Sequence, residues 1–438
     1  RYMRERRKEL GGYIPARRSE AQVLPVPGLD AFRSQTKGSG DRSVSTTMAF
    51  VRMLSSLAKD KAIGHRVVPI VPDEARTFGM EGMFRQLGIY SSVGQRYTPH
   101  DSDQIMFYKE DIKGQILEEG INEAGATSAW LAAATSYSTS NYPMVPFYIF
   151  YSMFGFQRIG DLAWAAGDSQ ARGFLIGATS GRTTLNGEGL QHQDGHSHLL
   201  ASTIPNCVSY DPTYAYELAV IIQDGMRRMY AERENRFYYI TTMNENYPQP
   251  PMPEGVEEDI VRGMYRLQAV EKGKPQVRLG GAGSILREVE AAAQMLRDDY
   301  GVEAEVWSLP SINELYRDGR AAERWNLLNP DAEPRVPFFT QQLSGSDAPV
   351  VLSTDYMKSF SEQLRAFCPA PFYALGTDGY GRSDTRSKLR HFFEVSREFV
   401  VLAALKALAD AGEKPPAEVA AAREKLGIAA DKPDPTGV

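Results

Sequence analysis

The chain reads as an α/β protein built from two consecutive α/β domains with mostly parallel sheets. Short apolar runs alternate with amphipathic helical stretches along its 438 residues, the pattern of βαβ units. A proline- and acid-rich stretch, "NENYPQPPMPEGVEED" (244–259), interrupts that alternation once, and the alternation then resumes. A chain of this length has room for more than one core.

The first 45 residues read as a basic helical turn, "RYMRERRKEL", followed by an irregular connecting arm in which "GGYIPARR", "LPVPGL" and "TKGSGDRS" supply linker chemistry. Residues 46–250 form the first domain. Its expected strands are "HRVVPIV" (65–71), "MVPFYIFY" (144–151), "GFLIGAT" (173–179), "NCVSY" (206–210) and "FYYITTM" (237–243). Helices are expected over 118–136, 155–167 and 214–232; in the last, Leu218, Ile221, Ile222, Met226 and Met229 recur at helical spacing and face a core. A linker over 251–272 leads to a second domain over 273–430. There "QVRLGGAG", "VEAEVWSL", "APVVLST" (348–354) and "FYALGT" (372–377) read as strands, with helices over 284–301, along "INELYRDG", around 356–367 and near 389–411. Residues 431–438 read as a tail.

Composition excludes several classes. Apolar residues make up 42% and charged residues 24%, the balance of an ordinary globular chain. A net charge of −6 (49 basic against 55 acidic residues) gives no electrostatic reason to expect nucleic acid or a membrane surface as partner. No apolar run approaches the roughly 18 residues of a membrane span. Cys207 and Cys368 are too few for a disulfide framework, which points to a cytoplasmic protein. The chain opens on Arg1 rather than Met, which suggests a piece of something longer.

Candidate sites must each be weighed against a plainer role. "LGGAGS" (279–284) lies between strand and helix, where amides can hold an anion, but it lacks the full dinucleotide or P-loop spacing and suits a close turn better. "GTDGYG" (376–381) reads as a loop. Asp73 and Glu74 follow the 65–71 strand at the edge where open α/β sheets place ligands, although acids there are often only solvated. Glu123 begins an otherwise small, apolar helix. It either complements the helix dipole or serves as a buried acid of raised pKa. Tyr151 and Phe154 end an aromatic strand and are either core or a platform for a flat ligand. "NGEGLQHQDGHSH" (186–198) holds three of the six histidines. Its glycines are poor supports for a metal, so His192 beside Glu188 suits proton transfer and binding of an anionic substrate better.

"DEARTFGMEGMFRQLGIY", "GQILEEGINEAGATSAWLAAATSYST", "PFYIFYSMFGFQRIGDLAWAAGD" and "GRTTLNGEGLQHQDGHSH" together closely resemble the homodimeric bacterial type of the decarboxylating first component of pyruvate dehydrogenase complexes, a thiamine diphosphate family of transketolase-like build. "ITTMNENY", "GSILREV" and "GTDGYGRSDTR" extend the likeness from about Arg1 to Asp434. The resemblance implies a pyrimidine-binding domain followed by a transketolase C-terminal-like domain. It also implies that the diphosphate-binding domain, with its Mg2+ ligands, lies outside this chain, as a missing segment or a separate polypeptide.

The same resemblance implies roles for individual residues. Glu123 would protonate the cofactor's pyrimidine nitrogen and Phe154 would stack on that ring. Tyr151 and His192 would line the reacting carbon and bind pyruvate, with Asp73, Glu74 and Glu188 as acids of the same cavity and His196 and His198 orienting His192 or capping the loop. No metal ligand falls in this chain. The implied reaction is decarboxylation of pyruvate and reductive acetylation of the lipoyl group of a dihydrolipoamide acetyltransferase. Another 2-oxo acid dehydrogenase, a transketolase-type enzyme, or a dimerising scaffold without turnover remain the alternatives.

Overall fold

A computed structural model describes residues 1–12, 20–72, 74–270 and 273–438. The first domain is a six-stranded sheet of β1 (Val67–Val71), β2 (Leu117–Glu118), β3 (Val145–Tyr151), β4 (Phe174–Ala178), β5 (Cys207–Tyr210) and β6 (Phe237–Thr241), in the order β2-β1-β3-β4-β6-β5. Every pairing in it is parallel. All seven residues of β3, "VPFYIFY", are buried, as a central strand covered by helices on both faces requires. β2 and β3 lie on opposite sides of β1, so the chain reverses direction across the sheet there and opens a crevice at the strands' C-terminal ends.

The helices of this domain are α1 (Thr46–Leu57), α2 (Glu123–Thr139), α3 (Phe156–Asp168) and α4 (Ala215–Met226). The second sheet has the order β7-β9-β8-β10-β11, where β7 is Tyr265–Gln268, β8 Val277–Gly281, β9 Ala304–Ser308, β10 Val350–Ser353 and β11 Phe372–Leu375. Only β7 runs antiparallel. Around it pack α5 (Leu286–Tyr300), α6 (Ile312–Leu328) and α7 (Arg397–Asp410).

Several elements depart from expectation for identifiable reasons. The helix expected from residue 118 begins at Glu123, because Leu117–Glu118 pairs with β1, Gly120 has φ +67°, and the Asn122 side chain caps the helix by accepting from Gly125 N at 3.0 Å. The helix expected over 214–232 ends at Met226 and continues as a π-helical turn, Arg227–Ala231. The helix expected near 389–411 is two, Arg386–Phe392 and α7, broken at Glu394 with φ +62°. A further helix, Pro416–Lys425, follows.

The stretch expected to link the domains also holds structure. Tyr247–Pro248 pairs with Ser43–Val44, Glu257–Arg262 is helical, and β7 joins the second sheet as its edge. A polar edge strand with the sequence Tyr-Arg-Leu-Gln gives little apolar periodicity to read. Among the described residues no helix is long and apolar enough to cross a membrane. Cys207 is buried and Cys368 partly so, and both are free thiols.

Candidate functional site

Four connections converge on the C-terminal edge of the first sheet. β1 delivers Glu74, β3 delivers Tyr151 and Phe154, the loop after β4 delivers Glu188 and His192, and the segment after β2 delivers Glu123 at the first turn of α2. Asp73 lies outside the described residues.

The rings form one cluster. Tyr151 lies with its ring centroid 4.9 Å from His192 and 6.0 Å from Phe154, and Phe154 lies 5.0 Å from His192. Phe78 supports Tyr151 edge-on at 5.5 Å. Tyr151 is 6% exposed, and burial, then the charges of Glu188 and Glu74, raise its phenol pKa. The hydroxyl is therefore held neutral and can serve as a hydrogen-bond donor. His192 is partly exposed, its Nδ1 3.3 Å from the Gly189 carbonyl oxygen.

Glu123 is joined to this cluster by a residue that sequence reasoning did not single out. Arg158 Nη1 donates to Glu123 Oε1 at 2.5 Å, and the same guanidinium lies over the Phe154 ring with its carbon 3.9 Å from the centroid. The Phe154-to-Arg158 spacing of i,i+4 was the available signal. Behind the carboxylate, the Tyr148 hydroxyl donates to the Glu123 carbonyl oxygen at 3.5 Å; burial and then the charge of Glu123 raise its pKa. The arrangement thus offers one carboxylate, one half-buried ring face, one neutral phenol and one accessible imidazole, a set suited to a flat heteroaromatic ligand and a small anion beside it.

The three histidines of the 186–198 loop separate. His198 is buried: its Nε2 lies 2.9 Å from Thr241 Oγ1, and its ring stacks on Phe360 of the second domain at 5.3 Å. Burial, opposed by Asp194, lowers its pKa to about 4. It is a neutral core residue at the domain boundary. His196 stands at the start of the short helix Ser197–Ser202, which Asp194 caps by accepting from the His196 and Ser197 amides at 2.9 Å each. Capping therefore falls to Asp194, and neither histidine is in the ring cluster around His192. Among the described residues, no group of three or more His, Cys, Asp or Glu is placed to hold a metal ion.

The glycine clusters serve packing. Gly283, with φ +52°, donates its amide to the Asp211 carbonyl oxygen at 3.1 Å, and a side chain there would collide with the Asp211 carboxylate. Thr377 and Gly379 give their carbonyl oxygens to Arg182 Nη1. A cavity of about 300 Å³ under Trp164 and Asn206 opens at the opposite, N-terminal edge of the first sheet and carries none of the residues above.

Comparison with known proteins gives a consistent picture. Residues 24–250 match the family model of the pyruvate dehydrogenase E1 component middle domain, and residues 263–396 match that of the transketolase-like C-terminal domain. The pyruvate dehydrogenase E1 component of Pseudomonas aeruginosa is 65% identical over 99% of this chain and 50% of its own length. That of Escherichia coli K12 is 59% identical over 99% of this chain and 49% of its own. The chain thus spans about half the length of the curated relatives it matches.

Among solved structures, transketolase from Leishmania mexicana superposes with a TM-score of 0.63 at 16% identity, covering 94% of this chain and 49% of that one. A split-gene transketolase described as an inactive β4 tetramer gives a TM-score of 0.53, also at 16% identity, over 84% of this chain and 98% of that one. These likenesses establish a transketolase-like fold, and the match along more than half of the sequence places the chain in the pyruvate dehydrogenase E1 component family.

Proposed function

We propose that this chain forms the aminopyrimidine-facing half of a thiamine diphosphate site. Completed by a diphosphate-binding domain that carries the Mg2+ ligands, it would decarboxylate pyruvate and acetylate the lipoyl group of an acetyltransferase, working as a cytoplasmic homodimer. The observation that carries this reading is the Glu123–Arg158–Phe154 stack beside the Tyr151 and His192 rings: an acid and a ring face are held one planar cation apart.

When bound, thiamine diphosphate supplies an electron sink for the carbon–carbon bond that breaks. The residues present fit it. Glu123 would give and recover a proton at the pyrimidine nitrogen, which requires a carboxylate rather than an amide. Phe154 would take the ring face once Arg158 moves aside. The Tyr151 hydroxyl would donate to the carbonyl or carboxylate oxygen of pyruvate. His192, on the partly open loop, would bind the same anion and exchange protons with it, with Glu188 and Glu74 setting the local charge. The buried floor of Tyr148 and Phe150 would keep water from the reacting atoms.

The test is to mix the chain with the diphosphate-binding half and follow decarboxylation of pyruvate. Glu123→Ala should lower kcat by about a hundredfold or more, and activity unchanged by that substitution would overturn the reading. Offering lipoamide against an aldose as acceptor separates pyruvate dehydrogenase from a transketolase-type transfer. A second reading, a dimerising scaffold without turnover of its own, is favoured by the likeness to a split-gene transketolase described as inactive. It predicts no turnover from the mixture either.

A further inference from the structure

The loop that carries Glu188 and His192 is held less by its own domain than by the next one. Asp355 follows β10 of the second sheet and is 1% exposed. Its carboxylate accepts four hydrogen bonds from two adjacent residues at the root of that loop. Thr183 donates to Oδ1 from its amide at 2.8 Å and its hydroxyl at 2.7 Å. Thr184 donates to Oδ2 from its amide at 3.0 Å and its hydroxyl at 2.6 Å. Gly181 lets the chain approach this closely: its φ is +91°, and a Cβ there would run into Asp355 Oδ2.

Further contacts continue the clamp along the loop. Arg386 Nε donates to the Thr184 carbonyl oxygen at 2.7 Å, the Ser383 hydroxyl donates to the Glu188 carbonyl oxygen at 3.2 Å, and Gln193 Oε1 accepts from the Arg382 amide at 2.7 Å. Met357 N donates to the Gly195 carbonyl oxygen at 2.9 Å. From Thr183 to Gly195, therefore, the loop is fixed from the far side of the domain boundary, while among the described residues the His192 imidazole is held by a single long polar contact and by ring packing.

We infer that Asp355 is a positioning residue that sets the His192 loop from the second domain, so that this domain takes part in the first domain's site without touching a ligand. The inference rests on the proposed role of His192. A carboxylate is required because both of its oxygens accept from a peptide N–H that cannot turn away. An amide in its place would face one of those N–H groups with a donor.

The experiment has two arms. In the first, hydrogen exchange is measured on this chain with Asp355→Asn, and with Gly181→Ala, which crowds the same contact from the other side. Both substitutions should speed exchange of the 183–193 amides by about tenfold or more while leaving β3 protected. Unchanged exchange in the loop would overturn the clamp.

The second arm uses the enzyme completed by its diphosphate-binding half. Asp355→Asn should lower kcat by about tenfold, and adding it to His192→Ala should cost nothing more, because both act through one imidazole. Losses that multiply would show that Asp355 acts elsewhere. If His192→Ala itself leaves activity untouched, the functional reading fails while the exchange result still judges the clamp. Should Asp355→Asn fold poorly, Gly181→Ala and the milder Thr183→Val, which keeps the amide and removes one hydroxyl, carry both arms.

Discussion

His192 and His198 belong to one loop, and burial gives them opposite characters. His192 faces the ring cluster on a partly open surface. His198 is enclosed by Thr241, Tyr239, Tyr356 and Phe360 and stays neutral, its pKa lowered to about 4 by burial. A base whose folded pKa lies below its unfolded value near 6.5 binds its proton more readily when unfolded, so its contribution is complete above pH 6.5 and is lost as pH falls toward 4. That loss amounts to up to about 3 kcal/mol. His198→Gln should flatten this part of the stability profile, read as the denaturation midpoint between pH 4 and 7; an unaltered slope would rule the residue out as its source. Asp211, at the same boundary, carries the opposite sign. Its carboxyl is raised to about 7 by burial, with Thr241 and Tyr356 donating to Oδ1 and, among the described residues, no partner at the buried Oδ2. An acid whose folded pKa is raised takes up its proton when folded, so its contribution is present below about pH 4 and fades as pH rises through 7. Asp211→Asn keeps an acceptor for those donors and places an amide at the unpartnered side. The variant should gain stability relative to wild type as pH rises from 4 to 8, and a constant difference across that range would refute the assignment.

At the scale of elements, α4 and the second sheet are joined by one buried carboxylate. Glu217 Oε2 accepts from the Thr213 and Tyr214 amides at 2.6 and 3.1 Å, which caps α4, while Oε1 accepts from the Tyr265 hydroxyl of β7 and the Ser308 hydroxyl of β9 at 2.6 Å each. Glu217→Ala would leave two peptide N–H groups and the Ser308 hydroxyl buried without the acceptor they now use, so we expect a loss of at least about 3 kcal/mol in denaturant unfolding at unchanged slope. A loss under about 1 kcal/mol would mean that water fills the gap. The residue also shows what a sequence conceals. The strands β1, β3, β4, β5 and β6 were legible because buried parallel strands are continuous apolar runs, and α4 because its apolar residues repeat at helical spacing. Glu217 inside that helix gave no sign that its partners were Tyr265 and Ser308, because those contacts span two domains. The same distance effect hid Asp355 behind Thr183 and Thr184. β2 and β7 were missed for a different reason: short edge strands carry little apolar periodicity. Glu123, Tyr151, Phe154 and His192 were singled out by resemblance and by their places at strand and helix ends, whereas Arg158 was passed over although the i,i+4 spacing from Phe154 marked it.

The two domains share more than these polar clasps, and the whole molecule should unfold accordingly. One continuous apolar core runs from Leu24 of the N-terminal arm and Phe50 and Met53 of the first domain through Tyr210, Leu218 and Ile222 to Leu286, Val289, Val400 and Leu408 of the second. An ion-pair network spans the same boundary: Arg390 pairs with Glu245 and, at 3.2 Å, with Glu288, while Arg287 reaches Glu245 at 3.0 Å and Arg397 reaches Glu288 at 2.9 Å. Glu288 is held below the usual carboxylate range by the Arg397 hydrogen bond and by Arg390, which together outweigh its burial. Domains joined only by a linker unfold independently, whereas domains that share a core lose both hydrophobic faces when either opens. Calorimetry on this chain should therefore give a single transition, with a van't Hoff enthalpy close to the calorimetric one. Proteolysis within the proline-rich stretch 250–256 should yield two pieces that remain associated through gel filtration. Two resolved transitions, or pieces that part after cleavage, would show that the boundary is a hinge, and the clamp from Asp355 onto the His192 loop would then act only while the hinge is closed.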